Sequence, residues 1–330
     1  MEKKIKNKLH ISDILILVVL IAYALSLILI LCWGIMTSLK ANTDYISGNV
    51  LGFPNLSTPG LDLPNGQHFL SGQEALGLGY YKGIFNLFKI DSIEMDYYSA
   101  IFGKIEGPAS TTFTFANFMV NSLVYSVICS FVHAFVAFAC AYLCAKYKFR
   151  FSEFIYVVML VVMAIPIVGS SPSMITLLRN LAIYDTYFAM VALNFNFTGM
   201  YFFVFHAHLS GLSDTYVEAA EIDGASQLGV LFRIIFPLCA KVFFTVFLLQ
   251  FIQTWNDYQT PLLYYPNHPT LAYAVFRMTN NTGGADKGME YQGVPQRVAG
   301  CMVLAIPIFA IFVAFNKLLM GNLTMGGLKE

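Results

Sequence analysis

Asp257 sits with Gln250, Gln253 and Asn256 in a run that is otherwise apolar, and this is where the sequence concentrates groups that could act on another molecule. A carboxylate and three amides at that spacing have no nucleophile beside them. They offer binding: hydrogen-bond donors and acceptors for a hydroxyl-rich solute, or a carboxylate site for a coupled proton or sodium ion. Asn194 and Asn196, in another apolar stretch, are amides of the same kind, and Trp255 adds an aromatic face. Interhelical hydrogen bonding would account for the amides as well, and a tie from Asp257 to Trp255 or to the backbone would account for the carboxylate. His133, His206 and His208 lack metal-ligand spacing and read as packing residues, so no metal site is expected. The six cysteines all lie in apolar stretches without a CxxC pair and read as buried small hydrophobes. No GxxxxGK[ST] phosphate loop occurs, so Leu70-Ser-Gly-Gln-Glu74 is only superficially like an ATPase signature, and the N-x-[ST] triplets at Asn196, Asn280 and Asn322 are chance matches.

The elements that hold these residues are membrane spans. Of the 330 residues 57% are hydrophobic and 12% charged, with a mean hydropathy of +0.65, so the bilayer is the expected solvent. Lys+Arg and Asp+Glu balance at 19 each, and no basic excess points to nucleic acid. Gaps between charged residues give six spans, at about 14–39, 118–143, 154–178, 186–208, 238–261 and 298–316. The fifth is too polar in its outer half to face lipid, and Pro261 is expected to end it. Lys3, Lys4, Lys6 and Lys8, with the Lys146–Arg150 turn, place both termini in the cytoplasm. Residues 41–116 then form an extracytoplasmic insertion after the first span, and 264–296 a second outer loop with a turn at 280–284. The fold class is all-α, in a single transmembrane domain.

Residues 213–237 form a cytoplasmic loop between the fourth and fifth spans, read as two short helices. Thr215 is placed to cap the first, with Glu218 completing a capping box. Gly224 supplies a left-handed stop. Ser226 restarts a helix with Leu228, Leu231, Phe232 and Ile235 on one side, and Pro237 marks entry into the fifth span.

Glu218-Ala219-Ala220, Glu221, Asp223-Gly224-Ala225, Ile235 and Pro237 resemble the EAA loop of ABC importer permeases. Thr37-Ser-Leu-Lys40, Asn121-Ser122, Ile165-Pro166, Trp255-Asn256-Asp257 with Pro261-Leu262, and the tail Gly321–Lys329 resemble the shorter, six-span permease of the maltose-type carbohydrate uptake class. The resemblance departs at Leu212-Ser213, where that family usually has Ile-Pro, and in the length of 41–116. It implies a type I ABC importer permease fold in the cell membrane, pairing with a second homologous permease. ATPase coupling would run through Glu218, Ala219, Ala220, Glu221, Asp223, Gly224, Ala225, Phe232 and Pro237. An ABC ATPase dimer would carry ATP and Mg, and this chain would bind no cofactor and catalyse nothing. An extracytoplasmic solute-binding protein would deliver a carbohydrate. Asn194, Asn196, Gln250, Gln253, Trp255, Asn256 and Asp257 would be candidates for the translocation pathway. The rival reading, an ion-coupled secondary transporter of a small polar solute, calls for inverted repeats and broken spans in matching halves, and the sequence displays neither.

Overall fold

A computed structural model describes residues 11–62, 68–82, 115–147, 150–165, 169–196, 198–280 and 293–323. Most of the second half of the 41–116 insertion, Pro166, the turn beyond Asn280 and the tail beyond Leu323 lie outside the described residues. Contacts divide the chain into two units, Met1–Leu87 with Arg277–Ala305 and Phe88–Phe276 with Ile306–Glu330.

In the first unit, α1 (Ile11–Ser38) is apolar on every side, as a helix solvated by lipid must be. Beyond it the chain turns sharply, and Lys40 donates through Nζ to the carbonyls of Asn49 at 2.7 Å and Val50 at 3.0 Å. The short helices α2 (Asn42–Ile46) and α3 (Gly72–Leu76) follow, with a two-stranded antiparallel ribbon, Leu61–Asp62 against His68–Phe69, between them. The stretch Leu70–Glu74 has a local role: Ser71 Oγ accepts the Glu74 N–H, and Glu74 Oε2 accepts the Ser71 N–H at 2.8 Å, a complete capping box for α3.

The second unit is built on α4 (Phe115–Lys146), 32 residues without a glycine or proline. Ser122, Ser126, Ser130, Ala134, Ala137, Ala141 and Ala145 recur every three or four residues and are all buried, a stripe of small side chains that lets other helices approach closely. Among the described residues, the helices packed most extensively on α4 are α8 (Met200–Ser210) and α11 (Phe236–Asn256). Phe138 fills the junction, its ring centroid 5.5 Å from that of Phe205 and 6.0 Å from that of Phe243. Ser130 Oγ meets Thr254 Oγ1 at 2.8 Å. Asn121 Nδ2 donates to the Pro269 carbonyl at 3.1 Å and Ser122 Oγ accepts the Leu271 N–H at 2.6 Å, fixing the start of α13 (Leu271–Asn280).

Among the described residues, four stretches are long and apolar enough to cross a membrane: Ile14–Ser38, Phe115–Lys146, Gln227–Asn256 and, in the last helix α14 (Val294–Leu323), Val294–Phe315. The stretches read as third and fourth spans are each interrupted, which charge spacing alone did not reveal. The third is α5 (Arg150–Ala164) followed by α6 (Ser171–Asn180), with Gly169 at φ +78° between them. The fourth is α7 (Tyr187–Asn194) and α8, broken where Asn196 Oδ1 accepts the Thr198 N–H and Gly199 takes φ +130°.

Candidate functional site

Two groups of predicted residues come together in the second unit. The first is the elbow between α8 and α11. Its leading helix, α9 (Thr215–Ile222), starts one residue earlier than the capping-box reading requires: Asp214 is the N-cap, Thr215 is already helical, and Ser213 Oγ accepts the Thr215 N–H. The C-terminal reading holds. Gly224 has φ +78°, the Ala225 N–H reaches the Ala220 carbonyl at 2.9 Å, and the Gly224 N–H reaches that of Glu221 at 3.0 Å, the paired bonds of a Schellman stop. Ser226 caps α10 (Gln227–Val230) by accepting the Gly229 N–H at 3.2 Å.

From α10 the chain passes through a π-helical turn, Leu231–Ile235, directly into α11 with Pro237 in its first turn. A π turn carries one extra residue, so the buried face is Val230, Leu231 and Ile235, while Leu228 and Phe232, expected beside them, are exposed. Phe232 stacks over Phe135 with centroids 6.1 Å apart.

Within the predicted coupling set, Ala220 is buried in the aromatic core and is the root of the elbow, and Ala225 packs against the edge of that core. Glu218, Ala219, Asp223 and Gly224 are exposed. Glu221 is exposed but engaged: it accepts from Gln227 Nε2 at 2.9 Å, and Gln227 Oε1 accepts from the Tyr147 hydroxyl. That chain joins both elbow helices to the end of α4. Beside it, Lys146 Nζ donates to the Leu212 carbonyl at 2.6 Å and to Asp214 Oδ1 at 2.8 Å. The Lys146 side chain is 3% exposed and that of Asp214 54%. Sequence reasoning used Lys146 only to orient the chain and missed this second role. It also missed Ile222, 86% exposed at the tip of α9, with Tyr216 and Leu228 exposed on the same elbow. An apolar residue one position before the Asp-Gly stop was the available signal.

The second group lines a cavity of 420 Å³ formed by α4, α7, α11 and α12 (Gln259–Tyr264). Asn194, Gln250, Gln253 and Asp257 meet there, with Tyr125, Thr254, Thr260 and Tyr264. Asp257 ends α11, leaving the helix with ψ 112°. The fifth span therefore stops at Asn256, and Pro261 lies inside α12 rather than at the terminus expected of it. The Asp257 carboxylate accepts the Tyr125 hydroxyl at 2.8 Å and the Thr260 N–H at 3.1 Å, so it both lines the cavity and starts α12. Three predicted pathway residues are placed elsewhere. Trp255 is buried against Phe251, Asn256 donates back to the Ile252 carbonyl at 2.8 Å, and Asn196 closes the turn before α8.

Near the cavity, the turn between α6 and α7 is clasped to the segment after α12. Asp185, at φ +61°, accepts the Asn267 N–H at 3.0 Å and also the Asn267 side-chain amide, and Tyr187 stacks on His268 with centroids 4.4 Å apart. Burial pushes the Asp185 carboxyl up to about 6 even though the Asn267 bonds favour its ionised form. Burial likewise lowers His268 from the usual imidazole range.

Known proteins resemble this chain in fold and sequence. A crystal structure of a bacterial ABC transporter involved in import of the acidic polysaccharide alginate superposes with a TM-score of 0.62 over 93% of this chain and 96% of that one, at 17% identity, which is a likeness of fold. The arabinooligosaccharides transport system permease protein AraQ of Bacillus subtilis is 25% identical over 185 residues, 56% of this chain; the match spans 63% of that relative's length. The trehalose/maltose transport system permease protein MalG of Thermococcus litoralis is 31% identical over 127 residues, 37% of this chain and 42% of that one. Residues 134–324, which include the elbow and most of the cavity lining, match the family described as binding-protein-dependent transport system inner membrane component. That match covers more than half of the chain, and with a helical membrane-embedded scaffold of the same fold it makes this chain a member of the binding-protein-dependent transport system inner membrane components.

Proposed function

We propose that the chain is a permease subunit of an ATP-driven, binding-protein-dependent carbohydrate importer. It forms the translocation pathway with a second homologous permease and couples to a separate ABC ATPase dimer through residues 213–237. The observation that carries this reading is the elbow. Its root is buried at Ala220, its stop is fixed by Gly224, and its tip offers Ile222 and Leu228 to a partner. Exposed apolar groups on a rigid, polar-rimmed projection suit insertion into a cleft. The carbohydrate assignment is supported by the relatives, whose names specify arabinooligosaccharide and trehalose/maltose transport.

In this reading α5 with α6, and α7 with α8, each make one interrupted crossing, giving six spans with both termini in the cytoplasm. The elbow then lies on the cytoplasmic side, and the 41–116 insertion faces an extracytoplasmic binding protein. ATP-driven closure of the ATPase pair displaces the elbow, and the buried Lys146 and Ala220 contacts transmit the displacement to α4 and α11. The pathway thereby shifts between two packed states. ATP and Mg bind in the partner ATPase.

Affinity purification of the tagged chain from its host membrane, followed by mass spectrometry, tests the assembly. A second permease, an ATPase and a solute-binding protein are expected with it. Glu218→Lys should release the ATPase while leaving membrane insertion unchanged. Solitary purification combined with ATP-independent transport in liposomes would refute the proposal.

A further inference from the structure

Resting on the importer reading, we propose that the cavity at the outer end of α11 is a saccharide-ring subsite within this subunit, selective for uncharged rings, with Asp257 rejecting acidic sugars. Gln250 carries the argument furthest. It is 9% exposed and lines the cavity, and among the described residues its side-chain amide has no hydrogen-bond partner. An amide that opens onto a cavity and has donors and an acceptor to offer suits a ligand group that both donates and accepts. Gln253, one turn further along the same helix face, presents a second amide without a partner among the described residues. Asn194 spends its N–H₂ on the Met190 carbonyl at 2.9 Å and keeps its own oxygen as an acceptor.

Amides that donate and accept side by side match the alternating donors and acceptors of vicinal hydroxyls. Half-buried Tyr264 supplies ring surface for the apolar face of a sugar, while buried Tyr125 holds Asp257 in place through its hydroxyl. The 420 Å³ volume falls within the range of about 300–1,000 Å³ typical of small-molecule sites. Charge sets the selectivity. Asp257 is the ionisable carboxylate of the lining, and among the described residues no lysine, arginine or histidine lines the cavity to balance a second anion. A neutral ring can donate hydroxyls to the remaining lone pairs of Asp257, whereas a uronate would place two carboxylates together in a partly desolvated space. This sets the cavity apart from any site built for an acidic polysaccharide.

The test uses the assembled transporter in lipid nanodiscs, without its binding protein, and equilibrium dialysis of radiolabelled arabinotriose, raffinose, maltotriose and trigalacturonate. At least one neutral trisaccharide should bind saturably, with trigalacturonate weaker by at least about tenfold. Gln250→Leu should weaken the neutral sugar by about tenfold or more, consistent with loss of a buried amide. Gln253→Ala, at an exposed position, should weaken it less and serves if the buried variant fails to assemble. Asp257→Asn should narrow the gap between neutral and acidic probes. No saturable neutral binding, an unchanged affinity in the glutamine variants, or an unchanged gap in Asp257→Asn would each overturn the subsite. Hydrolysis of ATP by the same nanodiscs is followed in parallel: its absence from the wild-type assembly would count against the importer reading and leave the dialysis result standing by itself.

Discussion

The Lys146–Asp214 contact should be asymmetric when its partners are removed one at a time. The Lys146 side chain is 3% exposed and that of Asp214 is 54% exposed, so the cation is enclosed by protein while the anion is more than half open to solvent. Asp214→Asn leaves a buried ammonium with the Leu212 carbonyl at 2.6 Å as its remaining strong partner among the described residues. Breaking a fully buried pair costs about 3–5 kcal/mol. Because Asp214 is more than half exposed, solvent screening reduces that to about 1–3 kcal/mol. Lys146→Met keeps most of the packed stem, leaves Asp214 more than half exposed, and gives up the bond to Leu212, a net of about 1 kcal/mol. The double variant no longer contains a buried charge and should resemble Lys146→Met. Thermal unfolding of the purified chain should therefore rank wild type highest, Lys146→Met and the double variant together next, and Asp214→Asn lowest, with uptake following the same order. An additive double variant, or Lys146→Met melting below Asp214→Asn, would refute the idea that a buried cation holds the elbow to α4.

Gly224→Ala should cost about 1–2 kcal/mol, since φ is +78° and an added Cβ meets nothing within 4 Å, so the penalty is purely one of backbone conformation; Gly224→Asn should cost less, Gly224→Pro should abolish uptake, and equal uptake in Ala and wild type would disprove a rigid elbow. Ile222→Asp, at a position 86% exposed, should leave the melting temperature of the isolated chain unchanged and abolish co-purification of the ATPase. Asp185 binds its proton more tightly in the folded chain, about 6 against an ordinary carboxylate value near 3.8, so its contribution is fully present below the lower value and is lost as pH rises through the upper one. The melting temperature should fall between pH 4 and 7, and Asp185→Asn, which tolerates the φ of +61°, should flatten that slope relative to wild type.

The elbow was legible because its signals are local. A glycine stop and a serine cap act within four residues, and both were found where composition placed them. What sequence reasoning missed there depends on partners far away in the chain. Asp214 displaces Thr215 as the N-cap of a helix whose entry is anchored by Lys146, 68 residues earlier. The π turn moves Leu228 and Phe232 off the buried face, and nothing in a 3.6-residue pattern marks the extra residue. The breaks in the third and fourth spans were hidden for a related reason: a membrane span tolerates irregular backbone when its polar groups are satisfied internally, as Asn196 and Thr198 do, so hydropathy stays continuous across the interruption.

The polar end of α11 had more to give than composition extracted from it. Counting polar residues between Gln250 and Asp257 treats them as one set, whereas a helix sorts them by angle. Gln250, Gln253, Thr254 and Asp257 lie at offsets of zero, three, four and seven, a single face, and these four line the cavity. Trp255 and Asn256 fall on other faces at offsets of five and six, where one packs on Phe251 and the other bonds back to its own helix. The split between lining and packing was thus available from spacing, because a helix must keep period even where its residues are polar. Asn194 and Tyr125 were not available in this way. They reach the cavity from α7 and α4, and only the approach allowed by the small-residue stripe of α4 brings Tyr125 to within 2.8 Å of Asp257. Spacing can say which side of one helix is wet, but the walls that make that side a site come from packing between helices.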